Sequence, residues 1–89
     1  MRIPRRTSQF KRDLELPGRR GKDLAKLEAA LSALIDETPL PGWLKDHPLK
    51  GPYRGHRECH LESDWLLIYK LEPGAVIFER TRSHADLFE

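Results

Sequence analysis

The run Trp65–Leu71, WLLIYKL, constrains this chain more than any other stretch. It is nearly continuous in apolar character, which suits a central strand covered on both faces. Glu62-Ser63-Asp64 forms a turn before it. Glu72-Pro73-Gly74 forms a hairpin loop after it, with proline and glycine in adjacent turn positions. The flanking segments then read as strands, Tyr53–Leu61 before and Ala75–Thr81 after. In the first of these, Cys59 and Leu61 fall on one parity, and Glu58 and His60 on the other. His60 is therefore expected on the polar face. The expected result is a small antiparallel sheet.

The earlier residues supply helices that back this sheet. Ile3–Thr7 reads as a short edge strand, because Pro4 and its arginines suit an edge better than a centre. Thr7 or Ser8 then caps a helix, with Phe10 and Leu14 on its core side. Pro17-Gly18 is expected to stop or kink it. From Lys22 to Asp36, the residues Leu24, Leu27, Leu31, Leu34 and Ile35 form one apolar stripe. Asp23 near its start suits the helix dipole. The sequence TPLPG, Thr38–Gly42, breaks this helix. Trp43 and Leu44 are expected to cover the core edge. His84–Phe88 is expected to form a short C-terminal helical turn. The fold class is α+β, in a single domain over residues 1–89.

Composition narrows the classes of function. Of 89 residues, 38% are hydrophobic and 34% charged, which suits a small soluble domain. The single Cys59 has no internal disulfide partner, so a reduced, buried thiol and a cytoplasmic location are expected. No Cys/His pair has zinc spacing, so no metal and no cofactor is expected. No apolar run approaches the ~20 residues that span a bilayer, so no membrane partner is expected. Arg2, Arg5 and Arg6 precede no apolar segment, so no signal peptide is expected. The net charge is only +2, but Lys and Arg recur near the candidate chemistry, at Lys45, Lys50, Arg54, Arg57, Arg80 and Arg82. That pattern fits a polyanionic partner held through phosphate contacts, with Lys50 and Arg54 as candidate substrate contacts.

All four histidines lie between Asp46 and Phe88. His47 precedes Pro48 on a stiff loop. His60 stands four residues before Asp64, and Arg80 four before His84. An imidazole exchanges protons near neutral pH, and a carboxylate orients an imidazole or acts as acid or base. An arginine stabilises charge on a transferred phosphoryl group. Together these groups suit cleavage of RNA by its own 2′-hydroxyl. Blander roles exist for each: Asp64 as a turn residue, Arg80 as a partner of Glu79 or Glu58. His56 has no carboxylate or aromatic in evident register and is given no role. Parity also conflicts with the site, since Arg80 shares a side with Val76 and Phe78 unless a bulge intervenes.

DHPLKG, YRGHRECHLESDWLLIYKL and FERTRSHADLF, in this order, closely resemble the YafQ family of bacterial toxins within the RelE/ParE superfamily. The match continues upstream through TSQFKRDL and the second helix. The resemblance implies an antiparallel sheet packed on two N-terminal helices and ribosome-dependent endonuclease activity on mRNA in the A site. It also implies a cognate antitoxin that blocks the toxin, and contact with operator DNA indirectly through that antitoxin. The family's functional residues fall on His47, His60, Asp64, Trp65, Arg80, His84 and Phe88. By resemblance, His47, His60, Asp64, Arg80 and His84 are catalytic, while Trp65 and Phe88 position bases or shape the pocket. Arg82 departs from the family, whose members often carry glycine there. Pro17-Gly18 falls where relatives continue the first helix. A noncatalytic ParE-like toxin that binds a protein target such as gyrase is the alternative, and a binding module serving only as co-repressor is a third.

Overall fold

A computed structural model describes residues 1–15 and 23–83. Its strands are β1 (Ile3–Arg6), β2 (His47–Pro48), β3 (Arg57–Glu62), β4 (Trp65–Glu72) and β5 (Ala75–Arg82). Its helices are α1 (Ser8–Asp13) and α2 (Leu24–Asp36). Two short 3₁₀ turns, Gly42–Leu44 and Gly51–Tyr53, flank β2. The strands form one sheet in the order β1-β5-β4-β3-β2. No helix among the described residues is long and apolar enough to cross a membrane.

β4 is the central strand that its composition demands. Trp65, Leu67 and Tyr69 join the core that receives both helices. Leu66 and Ile68, which alternate with them, are fully buried as well. β3 and β5 pair antiparallel on either side. The sheet is mixed, however, because β1 runs parallel to β5. A parallel neighbour needs a crossover connection, and here the whole chain between its ends supplies it. β3 starts later than its polar alternation suggests. Gly51–Tyr53 folds into its own turn, and Gly55 takes a φ of +89°, which directs the chain away from a strand.

The helix signals correspond to real caps. The Thr7 hydroxyl accepts from the Phe10 amide at 3.0 Å and donates to the Glu79 carbonyl at 2.8 Å, so it ties α1 to β5. Phe10 packs on Phe78, with ring centroids 5.6 Å apart. Asp23 caps α2 by accepting from the Ala25 amide at 3.0 Å. Leu27, Ala30 and Leu34 are buried, and Leu31 and Ile35 pack partly against them. Leu24 departs from the expected stripe. It opens the helix and remains 41% exposed. Trp43 departs too: Leu44 covers the core edge while Trp43 is 52% exposed. Pro17-Gly18, Lys22 and the turn expected at His84–Phe88 lie outside the described residues.

Two irregularities shape the sheet's other face. Between β4 and β5 the register shifts, so Tyr69 faces Phe78 but Ile68 faces Arg80. Glu79 is the extra residue of this bulge. Phe78 therefore stays with the helix-side core, and Arg80 moves to the opposite face. That resolves the parity conflict. Between β3 and β4 a second shift falls at Leu61, between His60 and Glu62.

Replacing buried Leu27 by Ala is expected to cost about 2–5 kcal/mol. Leu24→Ala is expected to cost under about 1 kcal/mol, because the side chain already meets solvent. Urea melts of both variants check this pair. Burial, and then the Asp46 and Glu58 carboxylates, push the Cys59 thiol up to about 12. In the unfolded chain it ionises near ~8.5. Above that pH the unfolded state has released a proton that the native state retains, so stability falls as pH rises. Iodoacetamide at pH 8 is expected to leave native Cys59 unmodified while the urea-unfolded chain reacts fully, as mass spectrometry will show.

Candidate active site

Cross-strand register assembles the site. His47 faces Glu58, Glu58 faces Ile68, and Ile68 faces Arg80. These residues form one row across β2, β3, β4 and β5. The adjacent row runs His60, Leu66, Arg82. Neighbouring strands lie ~4.8 Å apart, so the Glu58 and Arg80 backbones are about 10 Å apart. Buried Ile68 and Leu66 form the apolar floor between the histidine side and the arginine side.

Glu58 organises the histidine side. Its carboxylate is 2% exposed. A single oxygen, Oε1, lies 3.2 Å from His47 Nε2 and 3.1 Å from His60 Nε2. The two imidazoles are 5.7 Å apart between ring centroids. His47 Nδ1 lies 3.1 Å from the Pro48 carbonyl oxygen, so both nitrogens of that ring face acceptors. The buried Oε2 of Glu58 has no hydrogen-bond partner among the described residues. His47 is not on a loop, as its Pro48 neighbour suggests, but on β2, whose pairing with β3 sets it beside Glu58.

Asp13 organises the arginine side. This carboxylate, on α1, is 3% exposed. Arg80 Nε donates to its Oδ2 at 2.7 Å, and Arg80 Nη2 donates to its Oδ1 at 3.2 Å. The Thr81 amide donates to Oδ2 at 3.1 Å. Arg82 Nη1 approaches Oδ1 at 3.6 Å, so the charge that Arg82 adds is shared with Asp13. The Asp13 hydrogen bond is the main reason that the Arg80 guanidinium is raised above its ordinary value, and it stays a cation throughout. In place of the expected partners, Glu79 and Glu58, Arg80 meets Asp13, whose Oδ2 also accepts from the amide of the next residue, Thr81.

Other expectations meet different outcomes. Trp65 is a core residue, 2% exposed, and its Nε1 donates to Thr81 Oγ1 at 3.0 Å. Its proposed contact with a base is corrected: the apolar run that makes β4 central also draws Trp65 inside. Asp64 is exposed on the β3–β4 turn. Lys50 and Arg54 are exposed on either side of the Gly51–Tyr53 turn. His84 and Phe88 lie outside the described residues. His56 has partners after all. Its Nε2 lies 3.3 Å from Glu79 Oε2, and its ring meets Tyr53 edge-on. The bulge at Glu79 hid that pairing.

Glu58 and Asp13 are what residue-by-residue reading missed. Both left a trace. Glu58 is two residues before His60, hence on the same strand face. Asp13 is three residues after Phe10, an acid at a core-facing helix position. Asp46, at the foot of β2, makes a third such centre by accepting from Arg57 Nε at 3.0 Å, from Arg57 Nη2 at 2.7 Å and from the Tyr69 hydroxyl. The donor atoms of His47, Glu58 and His60 lie within 4.8 Å of one another. Two imidazoles and a carboxylate suit zinc or copper better than magnesium. Zinc spacing in the sequence did not show this set because it comes from two paired strands.

The family described as a bacterial toxin of type II toxin–antitoxin system, YafQ, matches residues 2–89. The chain belongs to that family. It is 47% identical over 83 residues to the mRNA interferase toxin YafQ of Escherichia coli strain K12, covering 92% of this chain and 90% of that protein. The crystal structure of YafQ from E. coli strain BL21(DE3) superposes with a TM-score of 0.94 at 43% identity, covering all of both chains. YafQ in the E. coli DinJ–YafQ complex gives 0.92 at 43% identity, again covering both chains fully. A metal-bound toxin from Helicobacter pylori gives 0.91 at 37% identity, covering 99% of this chain and 100% of that one.

Removing one partner from a buried ion pair strands the other, so Asp13→Ala is expected to cost about 3–5 kcal/mol. Lys26→Ala, which breaks the more exposed 3.3 Å pair with Glu62, is expected to cost under about 1 kcal/mol. Guanidinium melts of the two variants measure the contrast.

Proposed function

We propose that this chain is an endoribonuclease that cuts mRNA on the ribosome and is held in check by a cognate antitoxin in the cytoplasm. One observation carries the reading: two imidazoles share a buried carboxylate in the same cross-sheet row as a fixed arginine. Cleavage by the 2′-hydroxyl needs one group to take its proton and another to protonate the 5′ leaving oxygen. It also needs a cation at the phosphate. His60, oriented by Glu58, supplies a proton-transfer group on one side of the floor, and family resemblance adds His47 beside it. Arg80, oriented by Asp13, supplies the cation on the other. A phosphate over Leu66 and Ile68 lies between them. Family resemblance adds Asp64 and His84 as acid/base candidates and Phe88 as a base contact. The E. coli relative's complex with DinJ supports an antitoxin as partner, with operator DNA reached through it.

The reaction in this reading uses no metal. A zinc or copper ion held by His47, Glu58 and His60 would supply an activated water. Such an ion would also occupy the imidazole nitrogens that the 2′-hydroxyl route needs for protons.

Primer extension on translated mRNA is expected to show discrete cuts within codons. The products are expected to carry a 2′,3′-cyclic phosphate and a 5′-hydroxyl. His60→Gln and His47→Gln are expected to slow cleavage by about 10²–10⁴-fold for each group that transfers a proton. Arg80→Ala is expected to slow it by about 10²–10³-fold. Intact transcripts with halted replication would instead indicate a toxin that binds a protein target. Loss of cutting on chelation that zinc or copper restores would show that the metal route operates.

A further inference from the structure

Beside the row of candidate catalytic groups, the sheet has an open corner. Among the described residues β2 pairs only with Arg57 and Glu58, and β3 from Cys59 onward is the outer edge of the sheet. The bulge at Leu61 and the turn after Glu62 bend that edge. The Gly42–Leu44 turn packs alongside. Between them lies a groove of about 480 Å³, lined by Trp43, Lys45, His60, Leu61, Glu62 and Ser63. That volume is within the ~300–1,000 Å³ of small-ligand sites. His60 belongs both to the groove and to the Glu58 cluster, so the two are continuous.

Three features distinguish this corner. Trp43 is 52% exposed, whereas Trp65, the other tryptophan, is 2% exposed. The Trp43 indole is open to solvent and lines the same groove as His60. Lys45 is exposed and takes a left-handed backbone conformation, φ 50° and ψ 48°. It closes the Gly42–Leu44 turn, with its amide donating to the Gly42 carbonyl, as left-handed residues commonly do at such ends. Among the described residues no carboxylate pairs with Lys45. The acid in the groove, Glu62, is neutralised by Lys26 at 3.3 Å. The corner thus offers an aromatic face and an unneutralised cation.

We propose that this groove binds one unpaired nucleotide of the RNA next to the scissile phosphate, with its base stacked on Trp43 and its phosphate held by Lys45. The proposal rests on the endoribonuclease reading above. Single-stranded RNA is bound by aromatic faces that take bases and by cations that track the backbone, whatever the base. A strand whose scissile phosphate lies over Leu66 and Ile68 passes His60 and enters the groove directly. A docked protein segment would also cover a tryptophan. The lysine beside it and the shared His60 favour a nucleotide.

The test uses the full chain on programmed ribosomes. The mRNA carries a 2′-deoxynucleotide at the cut mapped by primer extension, and 5-iodouridine at the positions on either side. Photocross-linking is expected at Trp43, located by mass spectrometry. With cleavable mRNA, Trp43→Ala is expected to raise KM by about 5- to 100-fold, the effect of losing one stacked base, with kcat nearly unchanged. Trp43→Phe is expected to restore most of the loss. Lys45→Gln is expected to raise KM and to flatten its dependence on salt. A wild-type chain that cuts mRNA without cross-linking at Trp43, and a Trp43→Ala variant with unchanged KM, would overturn the subsite and leave the endoribonuclease standing. Protection of Trp43 by the antitoxin without any cross-link to RNA would assign the corner to protein docking and overturn it equally. A wild-type chain that cuts no mRNA would overturn the endoribonuclease reading itself, and the subsite with it.

Discussion

A carboxylate taken out of water must find its compensation inside the protein, and among the described residues two are buried, Asp13 on α1 and Glu58 on β3. Asp13 and Glu58 are each 3% exposed or less. An uncompensated charge at either place would cost several kcal/mol, a large share of the stability of an 89-residue domain. Each is compensated by groups that also carry the candidate chemistry: Arg80 and the Thr81 amide at Asp13, His47 and His60 at Glu58. Folding and site assembly are therefore the same event. The site cannot lose its geometry without exposing a buried charge to an apolar neighbourhood.

The rest of the architecture serves that arrangement. α1 is only six residues long, but Thr7 and Asp13 fasten its two ends to β5. β1 stops pairing where Thr7 begins the helix, and Asp13 takes over the open β5 edge at Thr81. The bulge at Glu79 then has two consequences. It moves Arg80 into the row of Glu58 and His47, and it leaves Glu79 for His56. A regular strand would have placed Arg80 on the side of Val76 and Phe78, against the helices, where a guanidinium has no phosphate to meet. On the other edge, the brevity of β2 matters as much. Two residues suffice to hold His47 beside Glu58, and stopping there leaves the corner at Trp43 and Lys45 accessible.

Local sequence determined much of this protein, and the reason is short range. The apolar run Trp65–Leu71, its two turns, the cap at Thr7, the cap at Asp23 and the stripe through Leu27 and Leu34 each depend on residues within a few positions of one another. The motifs around His47, His60 and Arg80 are likewise contiguous, so the family resemblance could be read from them. Tertiary structure alone decided which charges meet. Asp13 and Arg80 are 67 residues apart, and His56 and Glu79 are 23 apart. Neither separation has a period that a sequence reveals. The parallel β1–β5 pairing joins the chain's opposite ends, and the bulge that sets Arg80 among the histidines is a single-residue slip in register. Trp65 and Trp43 fall on either side of this division: the apolar run of β4 drew Trp65 inside, whereas only packing left Trp43 facing water.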